Sequence, residues 1–359
     1  MNAAETRHIG GTIAHVLAGS WRSTPPSLDV SAGDIARALP IVARTNAAAL
    51  FWWRLRDRAP TDIPGLEVLH DTFRYNALHA EHQQARLASL VRLLRAASIE
   101  PVLLKGWDLA RLYPNTALRP YEDIDFIVRN DEVGRAERVV AAGDTSGAIV
   151  DFVHEEISRY DAIGWDDVLA RSGTLPFAGS NIRVLSREDH LRAIAIHGLK
   201  HSFRNPLWLC DIAVSVEAAG GDFDWERCVG DTHPQDQWIG CAIGLARELL
   251  GCDVPPKAAP YLSALPRWLV PAVFAMWTRA AQLGLDERWA LREFLSNPAS
   301  LGSIVARRWP DPVTEALRRS VTLSDRHPWQ RRLHALAFML SPQRLANAAV
   351  RRKAVRSVP

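Results

Sequence analysis

Lysine is scarce in this chain: of 43 basic side chains in 359 residues, the lysines are Lys105, Lys200, Lys257 and Lys353 alone. Cysteine is equally sparse. Cys210, Cys228, Cys241 and Cys252 include no close CxxC pair and lie in apolar, helical-looking sequence. That excludes a disulfide frame or a zinc ribbon and predicts reduced core residues. No stretch approaches the run of about 18 apolar residues that a membrane span needs, and the first residues carry no charged-then-apolar signal pattern. A cytoplasmic protein with no membrane partner is expected. A net charge of +3 is too small to argue for nucleic acid. Repeats and low-complexity runs are missing too, while 48% hydrophobic and 23% charged residues are ordinary for a globular chain.

The informative stretch is PVLLKGWDLARLYPNTALRPYEDIDFIVR, residues 101–129. Pro101 to Leu104 reads as a short strand, Lys105-Gly106 as a turn, the run through Tyr113 as a helix, and EDIDFIV as a second strand. Asp123 and Asp125 are two apart and so share a strand face. Two carboxylates side by side within an apolar run repel and are costly to bury. A divalent cation removes the conflict, and carboxylates with phosphate oxygens and water are the usual ligands of Mg²⁺. Gly106 allows close backbone approach, the following helix offers free N–H groups, and Lys105 adds a point charge suited to phosphate. AIVDFVHEE from Ala148 reads as a third strand. It places Asp151 beside the pair if it lies next to the second strand; the plainer alternative is a strand-end residue bonded to a turn. His154 follows at an odd spacing, and its role stays open.

LLKG, a tyrosine seven residues beyond the glycine, an arginine ahead of DIDFIV, Asp151 with His154, then HGLKH, WLCD and FDW occur in that order over roughly residues 70 to 260. This combination resembles the family of uncharacterised nucleotidyltransferases within the polymerase-β-like superfamily. The resemblance implies an α+β fold, a small mixed sheet with helices, embedded in a mostly helical chain. It implies a nucleoside triphosphate held at Lys105-Gly106 and two Mg²⁺ ions held by Asp123, Asp125 and Asp151, with Asp151 as a candidate general base. The implied reaction moves a nucleoside monophosphate to an acceptor that nothing in the chain names: a small molecule, a peptide in a biosynthetic tailoring pathway, or a protein. The superfamily's turn usually carries Gly-Ser; here Lys105 supplies charge where a serine hydroxyl would bond phosphate.

Arg119, a planar fork donor, is a candidate phosphate or carboxylate contact, or else a salt-bridge partner of Glu122 or Asp123. His197 and His201 are four apart on one helix face. They line the cleft with Lys200 and meet phosphate or acceptor, or they simply pack; a zinc pair lacks the glutamate of HExxH, since Gly198 stands there. Asp211 is a candidate structural anchor. Rival readings are a non-catalytic nucleotide- or partner-binding module and a histidine-dependent metallohydrolase.

Elsewhere the chain reads as helices. Ser31 caps a segment divided at Pro40, Thr72 to Ala97 forms a long helix with Leu78, Ala85, Leu87, Leu90, Val91 and Leu94 on or near one face, and Ser186 opens another. The expected organisation is an N-terminal helical part over 1–70, a nucleotidyltransferase core over 71–185, a helical part closing the cleft over 186–260, and a helical C-terminal part with a basic tail over 261–359.

Overall fold

The structure is a computed structural model that describes residues 1–57, 63–143, 145, 147–152, 165–230 and 236–280. His154, the segment beyond Ala280 with its tryptophans and the basic tail lie outside the described residues. Helices α1 (Ala3–Leu17), α2 (Ala32–Val42), α3 (Ala48–Leu55) and α4 (Leu66–Ala96) lead into strand β1 (Val102–Leu103). A single turn of helix, α5 (Trp107–Ala110), and a 3₁₀ turn at Thr116–Leu118 precede β2 (Asp123–Ile127). Then come α6 (Val133–Ala142), β3 (Ile149–Phe152), α7 (Trp165–Arg171), β4 (Gly173–Phe177) and β5 (Ser180–Val184). Helices α8 (Arg187–Lys200), α9 (Leu207–Glu217), α10 (Trp225–Val229), α11 (Asp236–Leu250) and α12 (Leu269–Ala280) complete the described chain. None of these helices is long and apolar enough to cross a membrane.

The five strands form one mixed sheet in the order β3-β2-β1-β5-β4. β1 runs antiparallel to β2 and parallel to β5, while β2 and β3 are parallel. This small sheet within a mostly helical chain is the α+β, polymerase-β-like architecture. Alternation assigns the two faces: Leu103, Ile124, Phe126 and Val184 pack with Leu87, Leu90 and Leu94 of α4. Val102, Leu104 and Ile127 turn the other way, onto Val168 of α7 and Ala193 of α8. Asp123 and Asp125 precede Ile127 at intervals of two, so they lie on the α8 side. A larger core joins α1 to α3 with α8 to α12, so residues on both sides of the sheet-bearing segment share one helical layer.

Several helix limits follow from capping. Ser31 and Ser186 accept hydrogen bonds from the N–H groups of Asp34 and Asp189, as their positions predict. Gly251, at φ +61°, closes α11.

Three expectations need correction. Pro40 lies inside α2, and the break comes at Ala43 to Ala47, where Thr45 Oγ1 donates to the Val42 carbonyl and accepts from Ala47 N–H. The helix after Gly106 stops at Ala110 instead of reaching Tyr113. Its end tightens into three-residue bonds from Leu112 and Tyr113, just ahead of Pro114, which disfavours helical geometry in the residue before it. Helix α4 begins at Leu66, and Leu78 is 72% exposed. Its buried stripe runs Leu69, Asn76, Ala80, Gln83, Leu87, Leu90 and Leu94, a helical repeat that includes two amides.

Candidate metal and nucleotide site

The parallel register of β2 and β3 sets Asp123 against Ile149 and Asp125 against Asp151. Residues paired directly across two strands point to the same face. Ligand oxygens of Asp123, Asp125 and Asp151 all fall within 4.8 Å of one another, and this is the one such acidic or histidine-bearing trio among the described residues. Burial is graded across it: Asp125 is buried, Asp123 half-buried and Asp151 exposed. Oxygen-only donors, crowded together and open on one side, fit a hard cation that keeps water or phosphate in its shell.

Lys105 leaves the end of β1 and reaches back to this group. Its Nζ lies 3.3 Å from Asp125 Oδ2, with the lysine side chain only 13% exposed. The Leu104 N–H donates to the Asp125 carbonyl at 3.0 Å, so the strand ladder itself holds the lysine turn against the acidic strand. Gly106 then takes φ +74° and ψ −111°, a backbone conformation for which glycine is suited. A Cβ there would meet the Tyr121 ring at 3.2 Å. Burial in turn raises the Tyr121 hydroxyl well above the ordinary phenol range.

With this arrangement established, comparison with known proteins is decisive. The family described as uncharacterised nucleotidyltransferase matches residues 31–250. The chain belongs to that family. It is accordingly a transferase enzyme acting on a nucleoside triphosphate. No curated protein and no solved structure matches it.

Elsewhere in this nucleotidyltransferase, Arg119 makes a carboxylate contact, with Asp211 and not with its sequence neighbours Glu122 or Asp123 as the bonded acid. Its fork donates to Asp211 on α9, Nε at 3.2 Å and Nη2 at 3.0 Å, with both side chains at least nine-tenths buried. Burial works against the guanidinium's charge, but the Asp211 carboxylate outweighs it and keeps Arg119 firmly protonated. The bonds through Nε and Nη2 tie the guanidinium to the helical layer.

His197 and His201 lie one turn apart with their rings inclined at 60°, centroids 4.8 Å from each other, and both contact the Trp208 ring. His197 and Lys200 follow Ala193 by four and seven residues, so they share its sheet-facing side of α8. Gly198 has a packing reason: a Cβ would stand 2.2 Å from the Phe203 ring, so the glutamate of a zinc protease has no room there. Among the described residues no third metal-ligating group joins the two histidines.

Sequence gives little sign of the neighbouring pair Asp108 and His190. Asp108, in the turn after Gly106, accepts from Arg111 Nε at 2.7 Å and pairs with His190 Nδ1 at 2.9 Å. Burial pushes its carboxyl up, but His190 and Arg111 outweigh that and leave it below the usual carboxylate range. The pair lines a cavity of about 530 Å³ with Arg171, Leu185 and Ser215. The one sequence signal was an acid in an otherwise apolar turn, which is weak by itself.

Proposed function

We propose that the enzyme transfers a nucleoside monophosphate from a nucleoside triphosphate to a hydroxyl-bearing acceptor, with Mg²⁺ held by Asp123, Asp125 and Asp151. The observation that carries this reading is the Asp125 to Asp151 register, which draws carboxylates from two parallel strands into one cluster that Lys105 touches. When bound, two Mg²⁺ ions supply charge neutralisation of the triphosphate and acidify the attacking hydroxyl. Lys105 and the backbone after Gly106 hold the phosphates. The acceptor oxygen bonds to the α-phosphorus in line with the bridging oxygen to the β-phosphate, that bond breaks, and pyrophosphate leaves. Asp151, the most exposed of the three, takes the acceptor's proton. His197, Lys200 and His201 face the same cleft and meet phosphate or acceptor.

The segment 71–185 carries this chemistry, surrounded by the described helices of 1–57, 186–230 and 236–280. The acceptor is a small molecule, a peptide or a protein. A cytoplasmic location is supported by four buried free cysteines, with burial raising the Cys241 and Cys252 thiols to about 12.

The test is incubation with labelled ATP, GTP, CTP and UTP and a cell extract. Label should pass to an acceptor with the wild-type enzyme and not with Asp123→Ala; equal labelling by both would overturn the assignment. The Lys105 to Asp125 pair favours a second reading, a nucleotide-binding module in which lysine already neutralises the acid. Calorimetric titration separates the two, because a module would bind triphosphate equally well with Mg²⁺ or EDTA.

A further inference from the structure

One carboxylate in the helical layer holds both ends of the loop that joins the phosphate turn to the acidic strand. Asp211 Oδ1 accepts from the Tyr113 hydroxyl at 2.9 Å and from Arg119 Nε at 3.2 Å, while Oδ2 accepts from Arg119 Nη2 at 3.0 Å. Tyr113 ends the segment leaving Lys105-Gly106. Arg119 begins the approach to β2, four residues ahead of Asp123. Between them, Asn115 caps the 3₁₀ turn through Ala117 N–H.

From the opposite side α4 grips the same loop. Asn76 Nδ2 donates to the Ala117 carbonyl at 3.2 Å, and Gln83 Nε2 donates to the carbonyls of Tyr121 and Glu122 at 3.0 and 2.8 Å. The loop is therefore fixed between two helices by side chains that are themselves buried.

Buried ion pairs are a poor source of net stability, since desolvation consumes most of the attraction; apolar residues of similar volume usually do as well or better. What such a pair supplies is a defined geometry, because the planar fork accepts few arrangements. Here that geometry sits where it decides the placement of β2. Helix α9 also carries Trp208, one turn before Asp211, against His197 and His201.

We propose that Asp211 is a positioning residue for the carboxylate site: through Arg119 and Tyr113 it sets where Asp123 and Asp125 stand relative to Asp151 and the Lys105-Gly106 turn. This rests on the cation-binding reading given above. Asp211 touches no reacting atom; it acts through the loop.

The experiment is calorimetric titration of the full chain with Mn²⁺ alone, in wild type, Asp211→Asn, Arg119→Lys and a control, Asp236→Asn. The control breaks a second buried pair, Arg192 Nη2 to Asp236 Oδ1 at 2.7 Å, within the helical layer. Asp211→Asn and Arg119→Lys should each weaken Mn²⁺ binding by about ten-fold, the usual scale for losing a group that orients a ligand. Asp236→Asn should lose comparable thermal stability and keep wild-type affinity. Unchanged affinity in the two loop variants, or an equal loss in the control, would overturn the proposal. Should Asp211→Asn fail to fold, Arg119→Lys, which keeps the charge and loses only the fork, decides it. Absence of Mn²⁺ binding in wild type would instead remove the cation-site reading itself, and this role with it.

Discussion

Lys105 Nζ stands 3.3 Å from Asp125 Oδ2, so one of the chain's few lysines is spent on the most buried carboxylate of the acidic cluster. A Mg²⁺ ion bound as proposed would compete with the lysine for this oxygen or share it. Lys105→Met should destabilise the metal-free protein by about 3 kcal/mol, the scale for stripping a buried charge of its partner. Millimolar Mg²⁺ should restore part of that loss. Urea melts with Mg²⁺ and with EDTA check this; identical losses in both would mean that no ion takes the lysine's place.

Gly106 adopts a positive φ against the Tyr121 ring. Gly106→Ala forces an L residue into strained backbone and brings its methyl against that ring, at a cost of about 2 kcal/mol. The expected result is a lower melting temperature together with a higher KM for triphosphate. Wild-type values for both would show that the turn yields freely.

Gln83 offers a case where greater hydrophobicity should harm. It occupies a buried position in the α4 stripe, yet it serves two loop carbonyls. Gln83→Leu leaves those acceptors without a donor and should cost about 2 kcal/mol. Leu78→Ser, on the exposed side, should stay within about 0.5 kcal/mol of wild type. Chemical denaturation of the two variants gives the comparison, and a neutral Gln83→Leu would contradict it.

The buried Asp108 predicts a specific acid dependence. Burial raises its carboxyl, but His190 and Arg111 outweigh burial, so its folded-state pKa lies below the unfolded value. A depressed pKa contributes stability that is present above the unfolded pKa of about 3.9 and is lost as pH falls through the folded value. Asp108→Asn should therefore be less stable than wild type at neutral pH, and the gap should close below about pH 4. Stability curves from pH 7 down to about pH 3 test this; a constant gap would assign the loss to packing alone.

Much of the site was legible because strand periodicity is simple. A carboxylate within EDIDFIV or AIVDF conflicts with its apolar neighbours, and period-two alternation places Asp123 and Asp125 on one side. That Asp151 joins them depended on strand adjacency, which the parallel register settles. Arg119 was less legible, because local reading offers Glu122 and Asp123 while its true partner lies 92 residues away. Asn76 and Gln83 are hard to read from sequence for a related reason. Polar residues in a helix read as its wet face unless the carbonyls they serve are known.

The hairpin of β4 and β5 carries an equally weak sequence signal. Its turn, Ala178-Gly179, has positive φ at both positions, as the usual Asn-Gly would, but without that signature. Pro176 further disguises β4; it is tolerated because β4 is the sheet's outer strand.

Helix α4 is continuous for 31 residues, about 46 Å at the usual rise. Leu69, near its start, belongs to the larger core; Leu87, Leu90 and Leu94, near its end, belong to the core beneath the sheet. A single rod with its two ends in different cores transmits loss of order from one to the other. Heat or denaturant should consequently dissolve the helical layer and the acidic cluster together, leaving no folded remnant that still gathers the three carboxylates.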